Sequence, residues 1–218
     1  MDTTAVVDFL ADPANRLGWG FDSFSALIPT THHNITPVID GNNVKLPKLF
    51  TVAIVGASRG IGAGIALQYA KAGASGLVLA SRRISGLEET AAACKKVNPN
   101  VQIEIIACDI TSASSVSELA DKTKAKFERL EVVVVNSGYS GPVELKLTDT
   151  DPETFQQASN VNYVGTFHVA KYFIPLLLAT KDGAKAFIAV NTVGSLIIKG
   201  PIANAQVRRS ALVRAGRW

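Results

Sequence analysis

The chain has 218 residues, 47% of them hydrophobic and 18% charged, which describes a globular protein with a sizeable core and excludes a disordered one. No apolar run approaches the roughly 18 residues of a membrane span; the longest, 173–179, is short and carries Pro175. The net charge of +4 comes from Arg208, Arg209, Arg214 and Arg217 near the C-terminus, so the body before them is neutral and lacks the basic stripe of a nucleic-acid binder.

Residues 1–48 show neither helical nor strand periodicity over a useful length. A helix over Ala5–Leu10 would end at Asp12-Pro13, and Pro29, Pro37, Gly41-Asn42-Asn43 and Pro47 then punctuate an extended arm. No basic, then apolar, secretory leader is found at the N-terminus. Cys94 and Cys108 form no CxxC pattern and have no histidine nearby, so they read as buried thiols of a cytoplasmic protein, with no metal site expected.

From Leu49 the pattern changes to apolar runs alternating with amphipathic segments. Phe50–Val55 is a nearly continuous apolar run, as a parallel strand covered on both faces requires. A glycine-rich turn leads into a helix over Ile61–Ala72, with Gly73 as its stop. Leu77–Ala80 is the second strand, and Ser85-x-x-Glu88 reads as the capping box of a helix running to about Lys96. Val101–Ala107 is the third strand. Ser115-x-x-Glu118 reads as a second capping box, opening a helix whose Val116, Leu119, Ala120 and Phe127 share a face. Glu131–Val135 is the fourth strand, Pro152–Leu178 a long helical region in two pieces, and Ala186–Val190 the fifth strand. Five strands alternating with helices, joined by right-handed crossovers, predict an α/β fold with a doubly wound parallel sheet. The division expected is an arm over 1–48, a dinucleotide-binding domain over 49–205 and a basic tail over 206–218.

Between the first strand and its helix stands Gly56-Ala57-Ser58-Arg59-Gly60-Ile61-Gly62. In such a loop Gly56 permits a tight turn, Gly60 lets the backbone approach a pyrophosphate, and Gly62 allows helix to pack closely on strand. The helix N-terminus adds unpaired N–H groups and a partial positive charge. Cofactor choice turns on the end of the second strand. An acidic residue there would bind the ribose hydroxyls of NAD, but the sequence has Ser81-Arg82-Arg83, with Arg59 inside the loop. Guanidinium groups in that place predict NADP(H), by roughly ten- to hundredfold over NAD(H). The alternative is that Arg82 and Arg83 are solvated charges at a helix entry.

The GxxxGxG spacing resembles the short-chain dehydrogenase/reductase family, with Val55 where that family usually has Thr. The resemblance continues through Asp109-Ile110-Thr111, at a place that touches the adenine in the family. Val135-Asn136-Ser137-Gly138 matches the NNAG segment at its second Asn and its Gly. Asn160-Val161-Asn162-Tyr163-Val164-Gly165 is similar to the helix segment that carries the family's structural and catalytic Asn, here Asn162. Thr31-His32-His33-Asn34 looks like an extension found on a fungal branch of secondary-metabolite enzymes. The resemblance implies cofactor binding by Gly56, Ser58, Arg59, Gly60, Ile61, Gly62, Arg82, Asp109, Ile110, Asn136 and Gly138. It also implies a small-molecule carbonyl or alcohol substrate and a homo-oligomer built on long helices.

In the family a Ser holds the substrate oxygen, a Tyr moves its proton and a Lys lowers the Tyr pKa. Thr192 matches the Ser position and Ser195 is a second candidate; both are also readable as turn residues after a strand. Counting from Thr192 puts Ala205 at the Tyr and Arg209 at the Lys, whereas aligning Ser210 puts Val207 and Ala211 there. Tyr-x-x-x-Lys occurs nowhere in the sequence. The stretch after Leu49 is also shorter than the family's domain of about 250 residues, so a truncated domain with five of seven strands is expected. The Arg-rich composition from about Gln206 suggests, as a hypothesis, out-of-frame or unspliced sequence; transcript sequencing that confirms the frame to Trp218 would remove it. Three functions follow as expectations: an NADP(H)-dependent oxidoreductase, impaired as written; a non-catalytic or vestigial nucleotide-binding protein; or, since fold alone does not set function, a doubly wound protein that binds a different ligand at the switch point.

Overall fold

The computed structural model describes residues 36–142 and 147–191. One compact unit comprises Thr36–Tyr139 and Gln157–Asn191; Ser140–Gln156 belongs to another. In chain order the elements are β1 (Thr51–Val55), α1 (Gly60–Lys71), β2 (Gly76–Ser81), α2 (Ile84–Val97), β3 (Gln102–Ala107), α3 (Ala113–Lys126) and β4 (Val132–Val135). A short 3-10 turn (Leu147–Asp149), α4 (Pro152–Ser159), a π-helical turn (Asn160–Val164), α5 (Gly165–Ala179) and β5 (Ala186–Ala189) follow.

The five strands form one parallel sheet in the order β3-β2-β1-β4-β5. The apolar runs are continuous because the central strands bury both faces and successive side chains alternate between them. Ala53, Val55, Val78, Ala80, Val133 and Val135 pack on one face against Val116 and Leu119 of α3 and Val169, Phe173 and Leu177 of α5. Val52, Ile54, Leu77, Leu79, Val132 and Val134 pack on the other, against Ala66 and Ala70 of α1 and Leu87 and Cys94 of α2. Alanines at the buried positions of α1 let that helix lie close to the sheet.

The two cysteines are buried and free, and burial pushes the Cys94 thiol up to about 11. Glu131, expected as the first residue of β4, is instead a buried carboxylate at its entrance. It accepts from the Thr51 backbone N–H at 2.7 Å and pairs with Arg129, while its own backbone bonds to Thr51 and Ala186.

Three local expectations need correction. Neither proposed capping box exists. The N-cap of α2 is Arg83 without a side-chain cap, and Ser85 lies inside the helix. The N-cap of α3 is Ser112, whose hydroxyl accepts from the Ser115 N–H, and the Ser115 hydroxyl accepts from the Asp109 N–H at 3.1 Å. The described end of the arm is not extended. It turns over 37–39 and 41–43 and is tied to α1 by Gly41 N–H to Gln68 Oε1 and by Leu46 N–H to the Ala72 carbonyl. The helix expected over Ala5–Leu10 lies outside the described residues.

Candidate functional site

The strand order reverses between β1 and β4, and in open α/β sheets ligands bind outside the carboxyl ends of the strands at such a point. A cleft of about 730 Å³ lies there, lined by the β1–α1 loop and the residues following β2, β3 and β4.

The β1–α1 loop is held from below. Gly56 has φ +97 and donates its N–H to the Ala80 carbonyl at 2.7 Å; a Cβ on it would lie 2.5 Å from the Ser137 nitrogen. Asn136 donates its Nδ2 to the Gly56 carbonyl at 3.0 Å, and a Cβ on Gly62 would come within 2.1 Å of that same carbonyl. Gly62 therefore serves the helix–strand packing expected of it and does not line the cleft. Gly60 does, with φ +56 and nothing within 4 Å of where a Cβ would stand. Arg59, the N-cap of α1, is extended and supplies no side-chain cap, so the orphan N–H groups of the first turn are not taken by it. An open backbone at a helix N-terminus fits the phosphates of a dinucleotide.

Ser58, Arg59, Gly60 and Ile61 line one side of the cleft, and Arg82 and Arg83 another. The Arg83 guanidinium turns back toward the loop, 3.5 Å from the Ser58 carbonyl. Asp109 and Ile110 follow β3. Hydrogen bonds from Thr111, its backbone N–H first and then its hydroxyl, hold the Asp109 carboxyl below the usual carboxylate range; partial burial works against them and the Arg82 charge assists. Ile110 is fixed from behind, where His168 Nδ1 lies 3.1 Å from its carbonyl and a Cβ on Gly165 would collide with its side chain. Asn136 and Gly138 close the cleft beside β4. Ten of the eleven residues expected around a cofactor thus line one cavity, with Gly62 directly behind it.

Asn162 is buried in the π-helical turn, which the Gly165 N–H closes by bonding to the Asn160 carbonyl. Its Nδ2 donates to the Tyr139 carbonyl at 2.7 Å and its Oδ1 accepts from the Tyr139 N–H at 2.9 Å. Asn162 therefore grips the backbone of a residue on the cleft wall, and its own carbonyl accepts from the Thr166 hydroxyl. Thr192 and Ser195 lie outside the described residues, as do His32 and His33. Sequence reasoning missed Tyr139, Cys108 and Val161 as wall residues. The apolar pattern marks Cys108 and Val161 only as core, and a lone Tyr after a glycine carries no signal. Among the described residues no group of three or more His, Cys, Asp or Glu could hold a metal, and no helix is long and apolar enough to cross a membrane.

The short chain dehydrogenase family profile matches residues 50–198. Short chain dehydrogenase tazN of Aspergillus terreus is 36% identical over 193 residues, covering 86% of this chain and 41% of its own length. Short chain dehydrogenase mpl6 of Monascus purpureus is 31% identical over 192 residues, covering 86% of this chain and 64% of its own. The chain therefore spans between two fifths and two thirds of the length of these relatives. Among solved structures, a short-chain type dehydrogenase/reductase from Mycobacterium ulcerans superposes with a TM-score of 0.71 at 21% identity, over 78% of this chain and 61% of that one. A short chain dehydrogenase from Salmonella enterica superposes with a TM-score of 0.70 at 24% identity, over 82% and 70%. At such identities the superpositions speak for the fold alone.

Proposed function

This chain belongs to the short-chain dehydrogenase family, and on that premise we propose that its cleft binds NADP(H) for an oxidoreductase reaction on a ketone or secondary alcohol of a small metabolite. The observation that carries the reading is the charge of the cleft wall. Arg59, Arg82 and Arg83 line it, Ser81 rather than an acid ends β2, and the one lining carboxylate among the described residues, Asp109, is already engaged by Thr111. A 2′-phosphate is favoured by guanidinium groups through charge-assisted hydrogen bonds, and the uncharged ribose hydroxyls of NAD(H) gain less from them.

The nicotinamide cofactor supplies the hydride-carrying carbon. The chain's own residues divide the remaining work. The first turn of α1 and the loop over Ser58–Ile61 receive the pyrophosphate, Arg82 and Arg83 take the 2′-phosphate with Arg59 facing them from the loop, and Asp109 and Ile110 flank the adenine. Asn136 and Gly138 form the wall beside β4, with Asn136 also bracing Gly56. Thr192 or Ser195 would hold the substrate oxygen, and Asn162 fixes the wall through Tyr139. Buried free thiols at Cys94 and Cys108 suit the reducing cytoplasm.

A second reading, nucleotide binding without turnover, is favoured by one observation: the sequence contains no Tyr-x-x-x-Lys pair. Loss of a general acid alone lowers rates by about 10²–10⁴-fold.

Calorimetric titration of the 218-residue chain with NADPH and NADH tests the cofactor assignment. NADPH is expected to bind roughly ten- to hundredfold more tightly, and R82Q to remove most of that difference. Equal affinities in the unaltered chain would overturn it. Loss of NADPH absorbance with a panel of ketones separates the two readings, since the second predicts binding with no consumption.

A further inference from the structure

We propose that Thr90, which does not line the cleft, is a positioning residue that sets the spacing between the pyrophosphate loop and the 2′-phosphate arginines. The inference rests on the NADP(H) reading above. Thr90 is buried in the second turn of α2, and its hydroxyl lies 2.9 Å from the Ala57 carbonyl and 2.9 Å from the Gly86 carbonyl of its own helix. The single hydroxyl proton is shared between the two carbonyls, and because Ala57 is fully buried this share gives its carbonyl a donor where water cannot. In a planar trans peptide the N–H opposes the C=O, so holding the Ala57 carbonyl on α2 turns the Ser58 N–H away from that helix.

A second contact lies one turn earlier. A Cβ on Gly86 would stand 2.5 Å from the Ser58 carbonyl and 2.9 Å from the Arg83 guanidinium, which means that α2 rests on the loop at that glycine with Arg83 folded against it. Gly86 and Thr90 thus form a seat on which Ala57 and Ser58 sit. The same helix begins at Ile84, directly after Arg82 and Arg83. The loop that would take the pyrophosphate and the arginines that would take the 2′-phosphate are therefore joined through one turn of α2. NADPH engages both places and NADH only one, so a change in their spacing affects NADPH more.

Binding of NADPH and NADH to the full 218-residue chain is measured for T90V, T90S and G86A. T90V keeps the shape of the side chain and removes the hydroxyl; G86A keeps the hydroxyl and props α2 off the loop. Both are expected to lower the NADPH-to-NADH affinity ratio by about three- to tenfold, the equivalent of one neutral hydrogen bond; T90V does so without touching a charge or a cleft-lining residue, whereas the G86A methyl also meets the Arg83 guanidinium. T90S is expected to keep the ratio of the unaltered chain. A residue that merely supports the fold would weaken both nucleotides equally. If the unaltered chain prefers NADPH and both T90V and G86A preserve that preference, or T90S loses it, the role given to Thr90 is wrong and the cofactor reading stands. Absence of any preference in the unaltered chain overturns the cofactor reading itself. Should T90V not fold, T90A, which also removes the hydroxyl and touches no cleft-lining residue, takes its place.

Discussion

Gly60 and Gly62 stand two residues apart in the first turn of α1 and need to be glycine for opposite reasons. At Gly62 the space is already filled: a Cβ would meet the Gly56 carbonyl at 2.1 Å and the Asn136 amide at 2.7 Å. Backbone on one side and a hydrogen-bonded amide on the other leave little room to yield, so G62A is expected to destabilise the fold by about 2–3 kcal/mol. At Gly60 the obstacle is backbone conformation alone, because φ is +56 and the space is open. G60A should cost about 1 kcal/mol in stability but weaken nucleotide binding severely, since its methyl sits where a ligand must approach. Urea denaturation together with NADPH titration checks the pair, and equal destabilisation by the two substitutions would remove the distinction. The close packing at Gly62 was legible because a glycine string between a strand and a helix calls for it. The work of Asn136 was not. Its amide braces a carbonyl 80 residues away, and no local pattern in the sequence marks that partner. Asn162 was read in the same way as a site residue, without its grip on the Tyr139 backbone being foreseeable.

At the scale of elements, strands and helices could be placed to within a residue or two, while their starts were misjudged for a physical reason. The pattern Ser-x-x-Glu occurs at Ser85 and at Ser115, but a cap requires an extended residue just before the first helical one. That residue is Arg83 in one case and Ser112 in the other. Ser112 makes the capping bond to the Ser115 N–H, and S112A should therefore lower stability by about 1 kcal/mol. S85A, a change inside the first turn of α2, should stay within about 0.5 kcal/mol of the unaltered chain. Thermal denaturation of the two variants distinguishes them, and a larger loss for S85A would restore the capping box at that helix. The break expected in the long helical region over 152–178 proves to be a π-helical turn rather than a gap. Widening the helix at Asn160–Val164 places buried Asn162 opposite Tyr139 while the chain continues directly into α5. Sequence periodicity indicates an interruption there, but it does not separate a π turn from a loop.

For the molecule as a whole, the two apolar layers and the cleft come from the same alternation. Side chains at Val52, Ile54 and Val55 enter the cores on either face of β1, and the chain then turns at Gly56 into the cleft. A nucleotide that occupies the cleft touches the ends of four of the five strands, β1 to β4, through the loops that follow them, so its binding free energy becomes stability of the described sheet. A ligand at about 100 times its dissociation constant stabilises the folded state by about 2.7 kcal/mol. For a chain of this size that corresponds to a rise in Tm of roughly 5–10 °C. If NADH binds about tenfold more weakly, the same concentration stabilises by about 1.4 kcal/mol, and the expected rise is about half. On the NADP(H) reading, R82Q should bring the two rises together by lowering that of NADPH, because the substitution removes one of the charges proposed to take the 2′-phosphate and leaves the pyrophosphate loop intact. Differential scanning calorimetry of the unaltered and R82Q chains with each nucleotide reads all four values. Equal rises from NADPH and NADH in the unaltered chain would mean that the arginines of the cleft wall are solvated helix-entry charges, and absence of any rise would take the nucleotide out of this cleft.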